Sequence, residues 1–382
     1  MNIHGRDDDA PAMDPIRTLL LGGLHGVPRP LFPGAVALVS RNGVSDPAIV
    51  VGDALRYTDS TGTELPISER VAMRADTVFD IASLTKLFTA TVLLGLVEEG
   101  LIALDTPIAD RLPTFGGGDR RSVTLRHLLS HTSGLPALLR LWTDHPDVTL
   151  RWEAVLGAGL EGTPGQTFVY SDVGYLVAGF LAEIVGGRPL PELVAESICA
   201  PLGLVDTGFL PGPERAARAA ATEDEHYVGR GIVRGFVHDE NSWSLGGAVG
   251  HAGLFSTAHD LMRFGDAIRR GRTLGGARIL REATVEEMLC DQLQADVDPG
   301  FRQGLGFRLA DPTFMGVLAA SGAVGHTGFT GTSLVIDRSR GLVVVLLTNR
   351  VHPSRDWSDI AVIRRRTAEL AAGAGATGGA LG

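Results

Sequence analysis

The sequence predicts an α/β protein of the α+β kind, with one antiparallel sheet built from both chain ends, helices flanking it and a mostly helical subdomain beside it. Three observations predict this arrangement. A hairpin pattern stands near the N-terminus and a second near the C-terminus, and helical periodicity dominates the stretch between them.

The elements follow in chain order. Residues 35–41 form an apolar run that enters Asn42-Gly43, a hairpin-turn dipeptide, and residues 48–52 read as the returning strand. Phe79-Asp80-Ile81 is a short extended run before a helix expected over residues 84–99. On that helix Leu87, Phe88, Val92, Leu93, Leu94, Leu96 and Val97 cover most of the circumference, which predicts burial on all sides. Further helical patterns occupy residues 124–130, 152–160, 172–185, 189–198 and 258–270. Residues 332–337, a turn at Arg338-Ser339-Arg340-Gly341, and residues 342–348 give the second hairpin, apolar enough for a strand covered on both faces. Residues 358–371 form a closing amphipathic helix. The expected organisation is one domain over residues 14–372, with a sheet subdomain at 30–82 and 250–372, a helical insertion at 83–249, and flexible tails at 1–13 and 373–382.

Composition narrows the function. A chain of 382 residues with 44% hydrophobic and 20% charged residues has the make-up of a globular protein with a large core. A net charge of −10 and no basic stripe interleaved with aromatics argue against nucleic acid as a partner. The apolar run at 342–347 is too short to span a bilayer, and residues 1–14 carry no signal-peptide pattern, so no membrane partner and a cytoplasmic location are expected. Cys199 and Cys290 stand alone and read as buried small hydrophobes. Glu223-Asp224-Glu225 reads as a solvated acidic run. No metal or cofactor is expected: His127 and His131, though spaced i and i+4, lack a third ligand and read as structural.

The chemistry-bearing feature is Lys86, the only lysine among 34 Lys and Arg residues, three places after Ser83. Arginine cannot lose its proton in a protein, whereas a desolvated lysine can become a neutral amine that accepts one from a hydroxyl. On a helix, positions i and i+3 share a face, so the Ser83 hydroxyl and the Lys86 amine meet within a turn, and burial is expected to lower the amine's proton affinity. The competing reading makes Ser83 an N-cap and Lys86 a solvated helix residue. Other nucleophile signatures fit less well, since neither a G-x-S-x-G elbow nor a Walker loop occurs.

Ser83-Leu84-Thr85-Lys86, the stretch Val123 to Pro136 with its Ser130-His131-Thr132-Ser133-Gly134 centre, Tyr170-Ser171-Asp172, Gly247 to Thr257 and His326-Thr327-Gly328 together resemble the serine β-lactamase and penicillin-binding-protein superfamily. Within it the chain is similar to the class C-like branch of esterases, D-amino-acid peptidases and transacylases. The resemblance runs from about Phe32 to about Asn349, in the family's motif order, and implies a β-lactamase/transpeptidase-like fold.

It also implies roles. Ser83 would be the nucleophile, Lys86 and Tyr170 would move its proton, and the Ser83 and Phe329 N–H groups would form the oxyanion hole, with Thr327 and Gly328 lining the substrate's path. Asp172 departs from the family's usual asparagine. As a carboxylate it favours the Lys86 ammonium, which leaves open whether Lys86 or Tyr170 is the base, and it also suits an N-cap. His326 stands where many relatives carry lysine, on what would be the sheet-edge strand; it could donate while neutral or bind an anion when protonated, so substrates lacking an obligatory carboxylate are favoured. His238 and Asp239 are substrate-specificity candidates, with His251 bordering the same cleft; the competing reading is that these residues fasten loops.

Three functions are carried forward: a serine hydrolase forming a Ser83 acyl-enzyme on a small ester, amide, D-amino-acid peptide or lactam; a transacylase or cyclase passing the acyl group to an amine or alcohol; and a non-catalytic sensor or scaffold.

Overall fold

The computed structural model describes residues 14–271, 278–297 and 299–373. The tail predicted at 1–13, and all but Gly373 of the one predicted at 373–382, lie outside the described residues.

Nine antiparallel strands form the main sheet. Their spatial order is Arg302–Gln303, Arg308–Leu309, Val324–Gly328, Thr332–Asp337, Leu342–Thr348, Gly34–Arg41, Ile49–Leu55 and Val71–Ala72, with Val44–Ser45 paired to Gly34–Arg41 off that path. The chain ends meet at its centre, where Ala35 pairs with Thr348 and Arg41 with Leu342. The N-terminal hairpin turns at Asn42 and Gly43, both with positive φ (52° and 84°), the conformation that a two-residue turn demands.

The alternation of side chains along these strands sorts the core into two layers. Val36, Leu38, Leu334, Ile336, Val343 and Val345 face the helices Thr85–Glu98 and Ala258–Arg270. Ala35, Ala37, Val39, Val335, Val344 and Leu346 face Pro15–Leu24 and Ala361–Ala371. Because both faces are covered, the central strands are apolar throughout, as the sequence predicts.

The Thr85–Glu98 helix is buried almost all round, from Thr85 to Leu94 without interruption. It packs on the Asp172–Gly186 helix of the helical region. Among the described residues no single helix is long and apolar enough to cross a membrane.

Some expectations are corrected. The helix predicted over 189–198 is interrupted: Leu190–Val194 passes into a π-helical turn at Ala195–Cys199 before Ala200–Leu202. Cys199 is buried but Cys290 is exposed, following the end of the Glu282–Leu289 helix. The acidic run is not solvated, since Glu223, Asp224 and Glu225 are all buried. Glu223 is paired with Arg355 and His238, and Glu225 with Arg230. Their burial is offset by these cationic partners at Glu223 and Glu225 and, at Asp224, by the Ser60 N–H, which donates to it at 2.8 Å.

Candidate active site

Ser83 is placed by a short chain of constraints. A three-stranded sheet of Phe79–Asp80, Leu254–Ser256 and Gly208–Phe209 draws the segment before it against residues 250–256. Ala82 then takes a positive φ of 47°, unusual for a residue with a side chain, and is held there by its N–H, which donates to Asp80 Oδ1 at 2.8 Å. The second oxygen of Asp80 accepts from the His238 N–H at 2.7 Å, so one buried carboxylate ties the Ser83 turn to the opposite loop. Ser83 itself lies in a 3-10 turn, Ala82–Leu84, that runs into the Thr85–Glu98 helix; it is not that helix's N-cap, which is Leu84.

Lys86 lies one turn on, fully buried, not solvated. Its Nζ donates to Ser83 Oγ at 2.9 Å and to the His251 carbonyl at 3.1 Å, and stands 2.8 Å from Asp172 Oδ1. The contact with Asp172 is an ion pair. Burial is the largest influence on Lys86 and works against the charged form. Asp172 and then Tyr170 outweigh it, and the proton affinity of Lys86 ends above the usual lysine value. The lowered proton affinity expected from burial is therefore corrected, and the Asp172 carboxylate beside the amine favours the ammonium as its sequence position implied.

Tyr170 precedes the Asp172–Gly186 helix, whose N-cap is Ser171 and not Asp172; the Ser171 hydroxyl accepts from the Gly174 N–H. That leaves the Asp172 carboxylate free to face Lys86. The Tyr170 ring lies with its centre 4.9 Å from Lys86 Nζ.

The His326-Thr327-Gly328 strand closes the other side. It is not the sheet edge, because Arg308–Leu309 and Arg302–Gln303 continue the sheet beyond it. Thr330 and Thr332 hydroxyls donate to the carbonyls of Asp80 (2.7 Å) and Ile81 (3.1 Å), fastening this strand's turn to the segment that carries Ser83. A Cβ on Gly328 would lie 2.4 Å from the Ile81 carbonyl oxygen, so only glycine permits this approach. Beyond Gly328, the side chain of Phe329 is exposed at the cavity.

His326 corrects another expectation. It is 1% exposed and does not line the cavity; its Nδ1 donates to the Thr327 carbonyl at 2.7 Å. Burial, then Arg308 and Lys86, hold its proton affinity well below the usual histidine value, so it is neutral and presents no charge to an anion. The cationic groups that do line the cavity are arginines, which no sequence motif marks: Arg140, Arg308, Arg350, Arg355 and Arg364. Arg364 donates to the Gly328 carbonyl, and burial, then Arg350, push it down to about 10. Arg350 is spent on the backbone carbonyls of Phe329, Arg355 and Ser358. These residues carry no spacing signal in the sequence.

Ser83, Tyr170, Asp172, His238, Asp239, His251, Thr327, Gly328 and Phe329 share one open cavity of about 940 Å³. Asp239 caps the Glu240–Ser244 helix and pairs with His251 Nε2 at 2.8 Å, while His238 stacks on Phe329 with ring centres 5.7 Å apart. Glu223, Glu225 and His238 are, among the described residues, the one cluster with metal-ligand spacing. Arg355 and Arg230 already hold its carboxylates, so the donor set does not suit a cation. His127 closes a capping box with Thr124.

This fold and this buried serine–lysine pair define a serine hydrolase. The Beta-lactamase family profile matches residues 30–369, and the chain belongs to that family. "Putative D-alanyl-D-alanine carboxypeptidase" of Escherichia coli (strain K12) is 34% identical over 335 residues, covering 79% of this chain and 74% of the relative. Of solved structures, "EstCE1, a hydrolase with promiscuous acyltransferase activity" superposes with a TM-score of 0.72 at 23% identity, over 92% of this chain and 97% of that one. The octameric penicillin-binding protein homologue from Pyrococcus abyssi gives 0.71 at 22% identity, over 94% and 77%.

Proposed function

We propose that the protein hydrolyses a small ester or amide, including a peptide ending in a D-amino acid, through an acyl-enzyme on Ser83. The observation that carries this reading is the 2.9 Å contact between Lys86 Nζ and Ser83 Oγ at the floor of the cavity.

Ser83 Oγ attacks the carbonyl carbon. Lys86 as an ammonium has no lone pair, so the Ser83 proton passes to the oxygen of a Tyr170 phenolate, whose negative charge Lys86 balances before the transfer. The N–H groups of Ser83 and Phe329 receive the oxyanion, and Tyr170 returns its proton to the leaving group. Water then cleaves the ester on Ser83. Arg308 and Arg364 at the cavity support a substrate with a negative charge near the leaving group, the chemistry of a peptide C-terminus. The sequence-based preference for substrates lacking a carboxylate is thereby weakened, and the relative's printed name points the same way.

A panel of p-nitrophenyl esters, a chromogenic cephalosporin and D-alanyl peptides, assayed with and without an added amine acceptor, tests the reading and separates hydrolysis from acyl transfer. Turnover lost in Ser83→Ala is expected. Undiminished turnover in that variant rejects the assignment.

A further inference from the structure

Behind Tyr170 lie two buried histidines whose hydrogen bonding is half complete in complementary ways. His131 is 1% exposed, and its Nδ1 accepts from the Ser171 backbone N–H at 3.0 Å. Nδ1 therefore carries no proton, and the neutral ring carries it on Nε2. On His326 the assignment reverses. Its Nδ1 donates to a carbonyl, so Nε2 holds the lone pair. Both Nε2 atoms are buried, and neither has a hydrogen-bond partner. One is a donor and the other an acceptor.

Both rings pack on the same phenol. The centre of Tyr170 lies 4.5 Å from that of His131, at 33°, and 6.0 Å from that of His326, at 35°. Neither histidine bonds Ser83, Lys86 or Asp172, so the proposed mechanism leaves them unused. Buried polar atoms are seldom left unpaired, and a buried water typically satisfies two to four of them at once.

We propose that ordered water joins the His131 Nε2–H donor to the His326 Nε2 acceptor past the edge of the Tyr170 ring, making His131 a positioning residue for Tyr170. The proposal rests on the role given to Tyr170 above. The link works only while both imidazoles are neutral. The groups facing them are Lys86 on the Thr85–Glu98 helix, Arg308 on its strand, Arg364 on the Ala361–Ala371 helix, and Tyr170 and Tyr175 on either side of Ser171. A proton added to His326 would occupy the Nε2 lone pair that the link needs, one added to His131 would displace its Nδ1 acceptor from the Ser171 N–H, and either charge would meet those of Lys86 and Arg308.

The test uses the full chain and three substitutions. His131→Phe keeps the ring and removes both nitrogens; His131→Gln restores a donor near the Nε2 position; His131→Asn restores an acceptor near the Nδ1 position. For H131F, kcat is expected to fall roughly tenfold to a hundredfold with KM held within about twofold, the scale of a misplaced catalytic group. H131Q is expected to recover most of the loss, with a wild-type pH profile, and H131N little. The reverse order, with H131N restored and H131Q not, overturns the proposal by showing that His131 serves only to hold the Ser171 N–H. A high-resolution crystal structure should show water within about 3.2 Å of both Nε2 atoms; dry density there overturns it independently of folding in the variants. Tyr170→Phe separates this inference from the reading beneath it. An inactive Y170F beside a fully active H131F rejects the inference alone, whereas an active Y170F rejects both.

Discussion

Asp172 Oδ1 lies 2.8 Å from Lys86 Nζ, which makes the chain's single lysine a fully buried ammonium. The carboxylate outweighs the burial that would otherwise strip the proton, so the charge state of the site is set by a residue outside the Ser83–Lys86 motif.

Replacing Asp172 by asparagine removes the partner that raises the Lys86 proton affinity. Whichever group takes the Ser83 proton, the loss of a nearby negative charge makes its basic form available at lower pH. The acidic limb of the kcat/KM profile of Asp172→Asn should move down by about one pH unit or more. A limb that stays in place, or moves up, contradicts the electrostatic assignment.

Gly328 admits the Ile81 carbonyl at a distance that a methyl group would block. Gly328→Ala should push its strand away from the Ser83 turn and separate the two N–H groups proposed for the oxyanion, lowering kcat/KM roughly a hundredfold. A folded variant with wild-type rates would mean the two segments need not be this close.

Arg308 faces the cavity with its guanidinium 5.5 Å from the Tyr170 ring and its ion pair to Asp311 at 3.1 Å. In Arg308→Gln, KM for a substrate bearing a terminal carboxylate should rise about tenfold while that for a neutral ester stays nearly constant. Equal changes for both substrates would remove Arg308 from carboxylate recognition.

Glu225 is pushed up to about 7 by burial, against its contacts with His238 and Arg230. A carboxyl whose folded pKa exceeds its unfolded value of 4.5 contributes stability that is complete below the unfolded value and lost as pH rises through the folded one. Wild-type Tm should therefore fall between pH 5 and 8 relative to Glu225→Gln, by about 3 °C or more. Parallel Tm curves would show that Glu225 is ionised throughout.

Much of this was legible in the sequence. The strands at residues 35–41, 332–337 and 342–348 and the Ala258–Arg270 helix were found because their patterning is local: turn dipeptides, alternation and helical periodicity. The proximity of Ser83, Lys86 and Tyr170 follows the motif spacing and the family resemblance. What escaped was long-range. The burial of Glu223 is created by Arg355, 132 positions away, and nothing within Glu223-Asp224-Glu225 announces it. The fate of His326 depends on packing behind Tyr170. The cavity's arginines converge from separate strands, loops and a helix, so their grouping exists only after folding.

The most direct measurement is intact-mass and peptide mass spectrometry after exposure to a fluorophosphonate or an activated ester. One adduct per chain, located on Ser83 and missing from Ser83→Ala and strongly slowed in Lys86→Ala, is the predicted result. An adduct on another residue, or an unmodified Ser83 in protein that still turns over substrate, would contradict the account.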